Sequence, residues 1–351
     1  MLDLNLVWQE YGLDRLEEGI ETLFPSMEID FQGLLAKILS GDVAGAAGEL
    51  FREAASGIGG QLAGMKNVFI WLLVLGIVSS LITHFVEIFD HHQVADIGFY
   101  FLYLLFTAVL LKCFAQAADT AVQTLENIIL FVKLLVPAYL ISVGISAGAA
   151  TAGASYQLML FSVYGVESIL QAWVLPLIYS YVMLAVINGI WAEEKLSLLI
   201  ELLEKVIGWV LKGAMGVVTG IGVFQSLITP VLDSARTSAL QKFVEAIPGI
   251  GSAAGGVAEL VLGSAMVIRS SIGVALLLLL LALCAGPLLK IALIAGILKC
   301  AAAFMEIVSD KRITACADRA GDAGLLLFKT TGTGVILFLI AIAVTAAAGR
   351  G

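Results

Sequence analysis

PLIYSYVMLAVING, residues 176–189, lies inside an apolar run that extends from Tyr156 to Trp191. A helix needs about 20 apolar residues to cross the hydrocarbon core of a bilayer, because each residue adds about 1.5 Å along the axis. The run is therefore too long for one upright span. It also contains Pro176, and proline has no backbone N–H and clashes with the preceding helical turn. We expect the helix to be kinked or broken at this residue.

The composition of the whole chain indicates a membrane protein. Of its 351 residues, 60% are hydrophobic and 13% are charged, whereas soluble domains average about 45–50% apolar and about 25% charged residues. Apolar runs of this length favour helices, which satisfy their own backbone hydrogen bonds in lipid. The sequence thus predicts an all-α fold, a polytopic helical membrane protein.

The apolar runs predict seven to eight membrane spans. The first two runs are joined by the short link DHHQVAD and should form an antiparallel hairpin. The number of spans rises above seven if a long run folds into a hairpin of its own. The runs cover about residues 67–89, 97–114, 128–146, 156–191, 206–232, 272–304 and 324–348.

Four prolines indicate an internal duplication. Pro137 and Pro176 are 39 residues apart, and so are Pro248 and Pro287. Leucine-rich membrane sequences align easily with one another, so apolar matches alone would not support a repeat. Two proline pairs with the same separation are harder to obtain by chance, and repeats are common in membrane transport folds. We predict a kinked or broken helix at each of the four prolines.

The residues around the prolines support the same alignment. LPLIYSYVMLAVI (175–187) aligns with GPLLKIALIAGIL (286–298), and Lys212 aligns with Lys329 after six residues are added to the polar link. An odd number of crossings in each repeat would invert one copy relative to the other. The predicted domains are an acidic extramembrane segment (1–66), a first membrane hairpin (67–125), membrane repeat 1 (126–235) and membrane repeat 2 (236–351).

The N-terminal segment, residues 1–66, is acidic and amphipathic. It holds eleven acidic and four basic side chains, a net charge of −7, which disfavours binding to nucleic acid or to anionic lipid headgroups. Residues 12–24 and 31–39 have the apolar spacing of amphipathic helices. Asp30 is a predicted N-cap of the second helix, and Gly41 follows its end. We expect this segment outside the membrane on the extracytoplasmic side, packed on the chain itself, on the bilayer surface or on a protein partner.

Charged side chains inside the apolar runs are the candidate functional residues. A charge at the bilayer centre costs about 2.5–3.5 kcal/mol on insertion scales, so such a residue should face a partner or an aqueous cavity. Glu167 and Lys290 lie deepest in their runs, and we expect them to form an interhelical ion pair or to line a conduit. Lysines nearer the ends of runs can extend to the interface. The lysines in or near other parts of the runs are Lys133, Lys212, Lys299 and Lys329, of which Lys212 and Lys329 are further conduit candidates.

No motif for enzymatic chemistry is visible. The chain has no Walker loop, HExxH motif or dinucleotide fingerprint, so we expect no catalytic residue and no cofactor. DHHQVAD offers Asp90, His91, His92 and Asp96 as metal ligands. Because adjacent histidines point apart on a helix, we expect a solvated loop instead of a metal site. The four cysteines are widely spaced and show neither a disulfide framework nor a zinc pattern.

Several stretches resemble the stage III sporulation protein AE family of spore-forming Firmicutes. After the acidic N-terminal part come LVPAYLISVGISAG (135–148), KFVEAIPGIGSAAGGVAELVLGSAMVIRSSIGVALLL (242–278) and AGPLLKIALIAGILKC (285–300). The resemblance covers about residues 25–350 and is strongest over 126–300. The stretches have family-typical texture and contain no catalytic motif.

This resemblance implies a multi-pass protein of the mother-cell membrane around the forespore. Such proteins are encoded with other stage III sporulation membrane proteins that build a channel complex between the two cells, and late forespore sigma-factor activity needs that complex. The expected role is a non-enzymatic component that forms or gates a small-molecule path. Expected partners are the other stage III proteins, the bilayer and a second copy of the chain. Two alternatives stay open: a self-sufficient secondary transporter coupled to an ion through Glu167 or Lys290, and a purely structural membrane anchor.

Overall fold

The computed structural model describes residues 30–56, 66–67, 69–81, 92–147, 161, 163–190, 195–245, 251–307 and 309–347. Every regular element in these ranges is helical, as the composition predicts. In chain order the helices are α1 (Phe31–Leu39), α2 (Val43–Ser56), α3 (Phe69–Leu81), α4 (His92–Ala147), α5 (Val163–Ile190), α6 (Ser197–Glu245), α7 (Gly251–Met305) and α8 (Lys311–Ala347).

Helix α1 begins and ends where the sequence predicts. The Gly33 N–H donates to Asp30 Oδ1 at 2.8 Å, which makes Asp30 the N-cap. Gly41 follows the end with a φ of +89°, a left-handed conformation that glycine adopts without a steric penalty. The buried side chains of α1 are Phe31, Leu34, Leu35 and Ile38. Helices α1 and α2 both pack against α7, so this apolar face is covered by the chain itself. The predicted helix at 12–24 lies outside the described residues.

Four helices are long and apolar enough to cross a membrane within the described ranges. They are Ile97–Phe131 of α4, Val163–Ile190 (α5), Gly273–Met305 of α7 and Lys311–Ile340 of α8, and α3 is a shorter apolar helix. The predicted spans at 97–114 and 128–146 lie in one helix, α4. The residues between them, AQAADTAVQTLEN (115–127), contain no glycine or proline and favour a continuous helix.

Helix α8 is the centre of the described bundle. It contacts α4, α5, α6 and α7, and its longest contact is the antiparallel hairpin with α7. Small residues bring the two helices together, since a Cβ on Gly324 would lie 2.8 Å from the Ala295 Cβ. Close backbone approach of this kind is how helices associate in lipid, where the hydrophobic effect between them is absent.

The four prolines do not act alike. Pro176 follows a π-helical turn, Leu170–Val174, whose end is marked by a bond from the Leu175 N–H to the Leu170 carbonyl. Helix α7 continues through Pro287 and α4 continues through Pro137, so neither helix is interrupted at its proline, and the predicted kink at these two residues stays a prediction. A long apolar helix loses one hydrogen bond at a proline, and its neighbouring helices compensate for that loss. Pro248 lies outside the described residues.

Candidate functional site

A buried carboxylate lies at the junction of the four candidate membrane-spanning helices. Glu167 of α5 is only 1% exposed. A Cβ on Gly334 of α8 would lie 2.7 Å from its Oε1 atom and also 2.7 Å from the Leu125 Cδ2 atom of α4. The buried Cys284 thiol of α7 is close enough to interact electrostatically with the carboxylate. The glutamate therefore packs against α8 beside a leucine of α4, within electrostatic range of α7.

The polar atoms around Glu167 are unpaired. Within the described part of the chain, neither carboxylate oxygen of Glu167 has a hydrogen-bond partner, and the same holds for Gln171 Nε2 and Thr331 Oγ1. Gln171 lies four residues after Glu167, and Thr331 lies three residues before Gly334, so each is placed on the same helix face as the contact. Leaving one buried polar group unpaired costs about 1–3 kcal/mol, and more for a charge.

The segment Lys329–Gly334 lets α8 pack closely against Glu167. The Thr330 hydroxyl donates to the Leu326 carbonyl at 2.8 Å, and the Thr333 hydroxyl donates to the Lys329 carbonyl at 2.7 Å. These bonds satisfy two buried hydroxyl groups inside the helix itself. Gly334 has no side chain, which lets the carboxylate of Glu167 lie directly against the helix backbone.

The predicted lysines do not complete this site. Lys290 is half-buried on α7, and because the Glu167 oxygens have no partner among the described residues, the predicted ion pair between these two side chains is not formed. Lys212 on α6 and Lys329 on α8 are exposed. Of the four candidates for a polar conduit, Glu167 alone is fully buried in the structure.

A second polar cluster, which the sequence did not predict, joins α7 to the first half of α8. Lys299 Nζ lies 2.6 Å from Asp318 Oδ1 and 2.8 Å from Asp322 Oδ1. The two aspartates are four residues apart and share one face of α8. They lie in the stretch SDKRITACADRAGD (309–322), between the apolar runs at 272–304 and 324–348. The four-residue spacing of these two aspartates is typical of one face of a helix. This spacing could have indicated that α8 begins before the apolar run, at Lys311.

A third set of contacts ties α4, α5 and α8 together near one end of α5. The Tyr103 hydroxyl donates to the Val186 carbonyl at 2.6 Å and packs against Gly189. The Arg312 guanidinium lies over the Phe99 ring, 3.7 Å from its centroid. Both contacts are interhelical, and an aromatic ring attracts a cation placed over its face.

The described residues contain no group of three histidine, cysteine, aspartate or glutamate side chains placed to hold a metal ion. The buried cysteines in these ranges are Cys113, Cys284 and Cys316, and all of them are free thiols. The arrangement around Glu167 offers a carboxyl group, an amide and a hydroxyl in buried surroundings, a set suited to binding a proton or a polar solute.

Comparisons with known proteins identify the family of this chain. The chain is 21% identical over 321 residues to stage III sporulation protein AE of Bacillus subtilis (strain 168), which covers 91% of this chain and 80% of the relative. No solved structure matches the chain. The sequence profile named Stage III sporulation protein AE matches residues 29–349. The chain therefore belongs to the stage III sporulation protein AE family.

Proposed function

We propose that this protein is a non-enzymatic, multi-pass component of the membrane channel complex between mother cell and forespore, and that its helical bundle forms or gates a small-molecule path. The observation that carries the proposal is Glu167, a buried and unpaired carboxylate where four candidate membrane-spanning helices meet. Ionisable residues inside membrane helices are costly and mark pathways for ions or solutes. A purely structural bundle would gain stability from an apolar residue at this position.

The proposed path lies between two related halves of the protein. Pro176 of α5 aligns with Pro287 of the span Gly273–Met305. Helix α5 is followed by the long helix α6, and the span Gly273–Met305 is followed by the long helix α8. This shared order supports a duplication over 126–235 and 236–351. Inverted halves with seven to eight spans in total would place Glu167 near a pseudo-twofold axis in the membrane plane.

The N-terminal segment is the proposed contact with other stage III proteins, on the extracytoplasmic side. The apolar faces of α1 and α2 are packed against α7, so a partner would meet the polar side of this segment. That side is acidic: Asp30 and Asp42 are exposed, and each caps a helix. A basic surface on the partner would complement it. In this proposal the complex supports late forespore sigma-factor activity.

Sporulation of a Glu167→Gln variant tests the proposal. Glutamine keeps the shape of the side chain and removes its charge, so the bundle should assemble. We expect spore yield to fall towards that of a strain without the protein, while immunoblots show normal abundance in the membrane. The control is Glu201→Gln on α6, an exposed position that should sporulate normally. Normal spore yield for Glu167→Gln would contradict the proposal and favour a structural anchor.

A second candidate function is a self-sufficient secondary transporter, because the same buried carboxylate would serve to couple solute movement to an ion. Purified protein in liposomes separates the two functions. Ion-driven uptake without partner proteins would favour the transporter. Assembly with sister stage III proteins and no autonomous uptake would favour the channel component.

A further inference from the structure

The surroundings of Glu167 restrict what its carboxyl group can bind. Gly334 closes one side, since even a methyl group there would lie 2.7 Å from Oε1. Leu125 of α4 covers the same side with a methyl group. A sodium or potassium ion would need several oxygen ligands in addition to the carboxylate, and hard cations prefer such oxygen-rich sites. The side chains placed around Glu167 are instead an aliphatic group, a thiol, an amide and one hydroxyl.

The groups that face Glu167 from each packed helix carry no full charge. Helix α4 contributes Leu125, and α8 contributes Gly334 with Thr331 one turn before it. Helix α7 contributes Cys284, whose thiol lies within electrostatic range of the carboxylate. On its own helix, Gln171 is placed one turn further along. A negative charge at this position has no counter-charge among these groups, so a bound proton is the smallest change that removes the cost.

We propose that Glu167 is a proton-binding site: its carboxyl group holds a proton while the four helices are packed as described, and it exchanges that proton with water when they separate. This inference deepens the proposed function, because it names the ligand class of the same site. The π-helical turn at Leu170–Val174 begins three residues after Glu167, and π-helical turns are frequent at functional sites. The turn provides a place where α5 can change its hydrogen bonding when the junction opens.

Labelling with dicyclohexylcarbodiimide tests this inference in membrane vesicles that contain the full chain. A protonated carboxylic acid adds across one C=N bond of the carbodiimide, and the resulting O-acylisourea rearranges to a stable N-acylurea. All atoms of the reagent are retained, so peptide mass spectrometry detects the adduct. We expect labelling of Glu167 at neutral pH and loss of that labelling as the pH is raised. Exposed carboxylates such as Glu201 are ionised in water and should stay unlabelled.

Infrared spectroscopy provides a second readout that does not depend on access of the reagent. The wild-type spectrum minus that of Glu167→Gln should contain the carbonyl stretch of a protonated carboxylic acid, and this band should shift on transfer to heavy water. A difference spectrum with only ionised carboxylate bands would overturn the inference. Protection from labelling by sodium or potassium at constant pH would also overturn it, in favour of a metal-cation site. Either result leaves the sporulation phenotype of Glu167→Gln to be judged separately.

Discussion

The two halves of helix α8 hold their polar partners in different ways. In the first half, Asp318 and Asp322 share Lys299, and all three side chains keep part of their surface exposed. In the second half, Gly334 lies against Glu167, whose carboxylate is buried without a partner in the described chain. Paired and half-exposed charges fasten one helix to another. An unpaired buried carboxyl group adds nothing to stability, which makes it the better candidate for function.

The largest expected effect is at the buried contact between Gly334 and Glu167, in the second half of α8. In Gly334→Ala, the new methyl group would lie 2.7 Å from both Glu167 Oε1 and Leu125 Cδ2, so these two side chains must shift within a buried junction. We expect a loss of about 1–3 kcal/mol in the free energy of unfolding, the usual cost of overpacking a core. Thermal unfolding of the purified protein in detergent measures it.

Gly332→Ala is the matched control on the same helix. The nearest atom to its new methyl group is Leu288 Cδ2 at 4.0 Å, an ordinary contact. Alanine favours a helix over glycine by up to about 1 kcal/mol, so this variant should be as stable as the wild type or more stable. Equal destabilisation by both substitutions would show that the junction at Gly334 is not tightly packed.

An intermediate effect is expected in the first half of α8, where Lys299 pairs with two aspartates. Lys299→Met removes the cation between Asp318 and Asp322 and leaves two carboxylates four residues apart on one helix face. Buried ion pairs cost about 3–5 kcal/mol to break and surface pairs about 1 kcal/mol or less. Since the Lys299 side chain is 30% exposed, we expect a loss of about 1–2 kcal/mol in the free energy of unfolding.

Lys205→Met on α6 is the control for this prediction, because Lys205 and Glu201 form a pair that is exposed to solvent at a separation of 4.0 Å. Its effect on thermal unfolding should stay within about 0.5 kcal/mol. Adding Asp318→Asn and Asp322→Asn to Lys299→Met should recover part of the lost stability. No recovery would mean that the lysine acts through packing of its aliphatic chain and not through charge.

The smallest expected effect is the loss of a neutral interhelical hydrogen bond, which serves as a reference for the two ends of α8. Tyr103→Phe removes the hydrogen bond to the Val186 carbonyl and keeps the ring. Interhelical hydrogen bonds in membrane proteins contribute about 0.6 kcal/mol on average, and we expect a loss of that size in thermal unfolding. Tyr100→Phe, at an exposed ring on the same helix, should change nothing measurable. If Tyr103→Phe lowered the free energy of unfolding as much as Lys299→Met, ion pairs would hold these helices together no better than neutral hydrogen bonds.

The sequence predicts local features of this fold better than the partners of each residue. The ends of α1 depend on Asp30 and Gly41, which act within a few residues, and both predictions are confirmed. The place of Glu167 in an apolar run predicts a side chain that faces away from lipid, and Glu167 is buried in the structure. Its neighbours Leu125, Cys284 and Gly334 come from three other helices, and pairing between helices is a tertiary property that helical spacing does not contain.

The prolines show a second limit of sequence analysis. Steric rules correctly state that a proline removes one backbone hydrogen bond, but the response depends on the surrounding helices. The chain widens to a π-helical turn before Pro176 and stays α-helical at Pro287. The aligned sequences around these two prolines are both leucine-rich and give no sign of the difference.

The π-helical turn at Leu170–Val174 sets the direction in which Glu167 points. A turn of this kind is equivalent to one residue inserted into a regular helix, and one residue corresponds to about 100° of rotation around the axis. Deleting a single residue from the turn would restore ordinary winding and swing the glutamate about a quarter of the way around α5. The side chain would then leave the interior and face another helix or the acyl chains. The direction of the Glu167 side chain is thus set by the number of residues between 167 and 176, and its chemistry is set by the identity of residue 167.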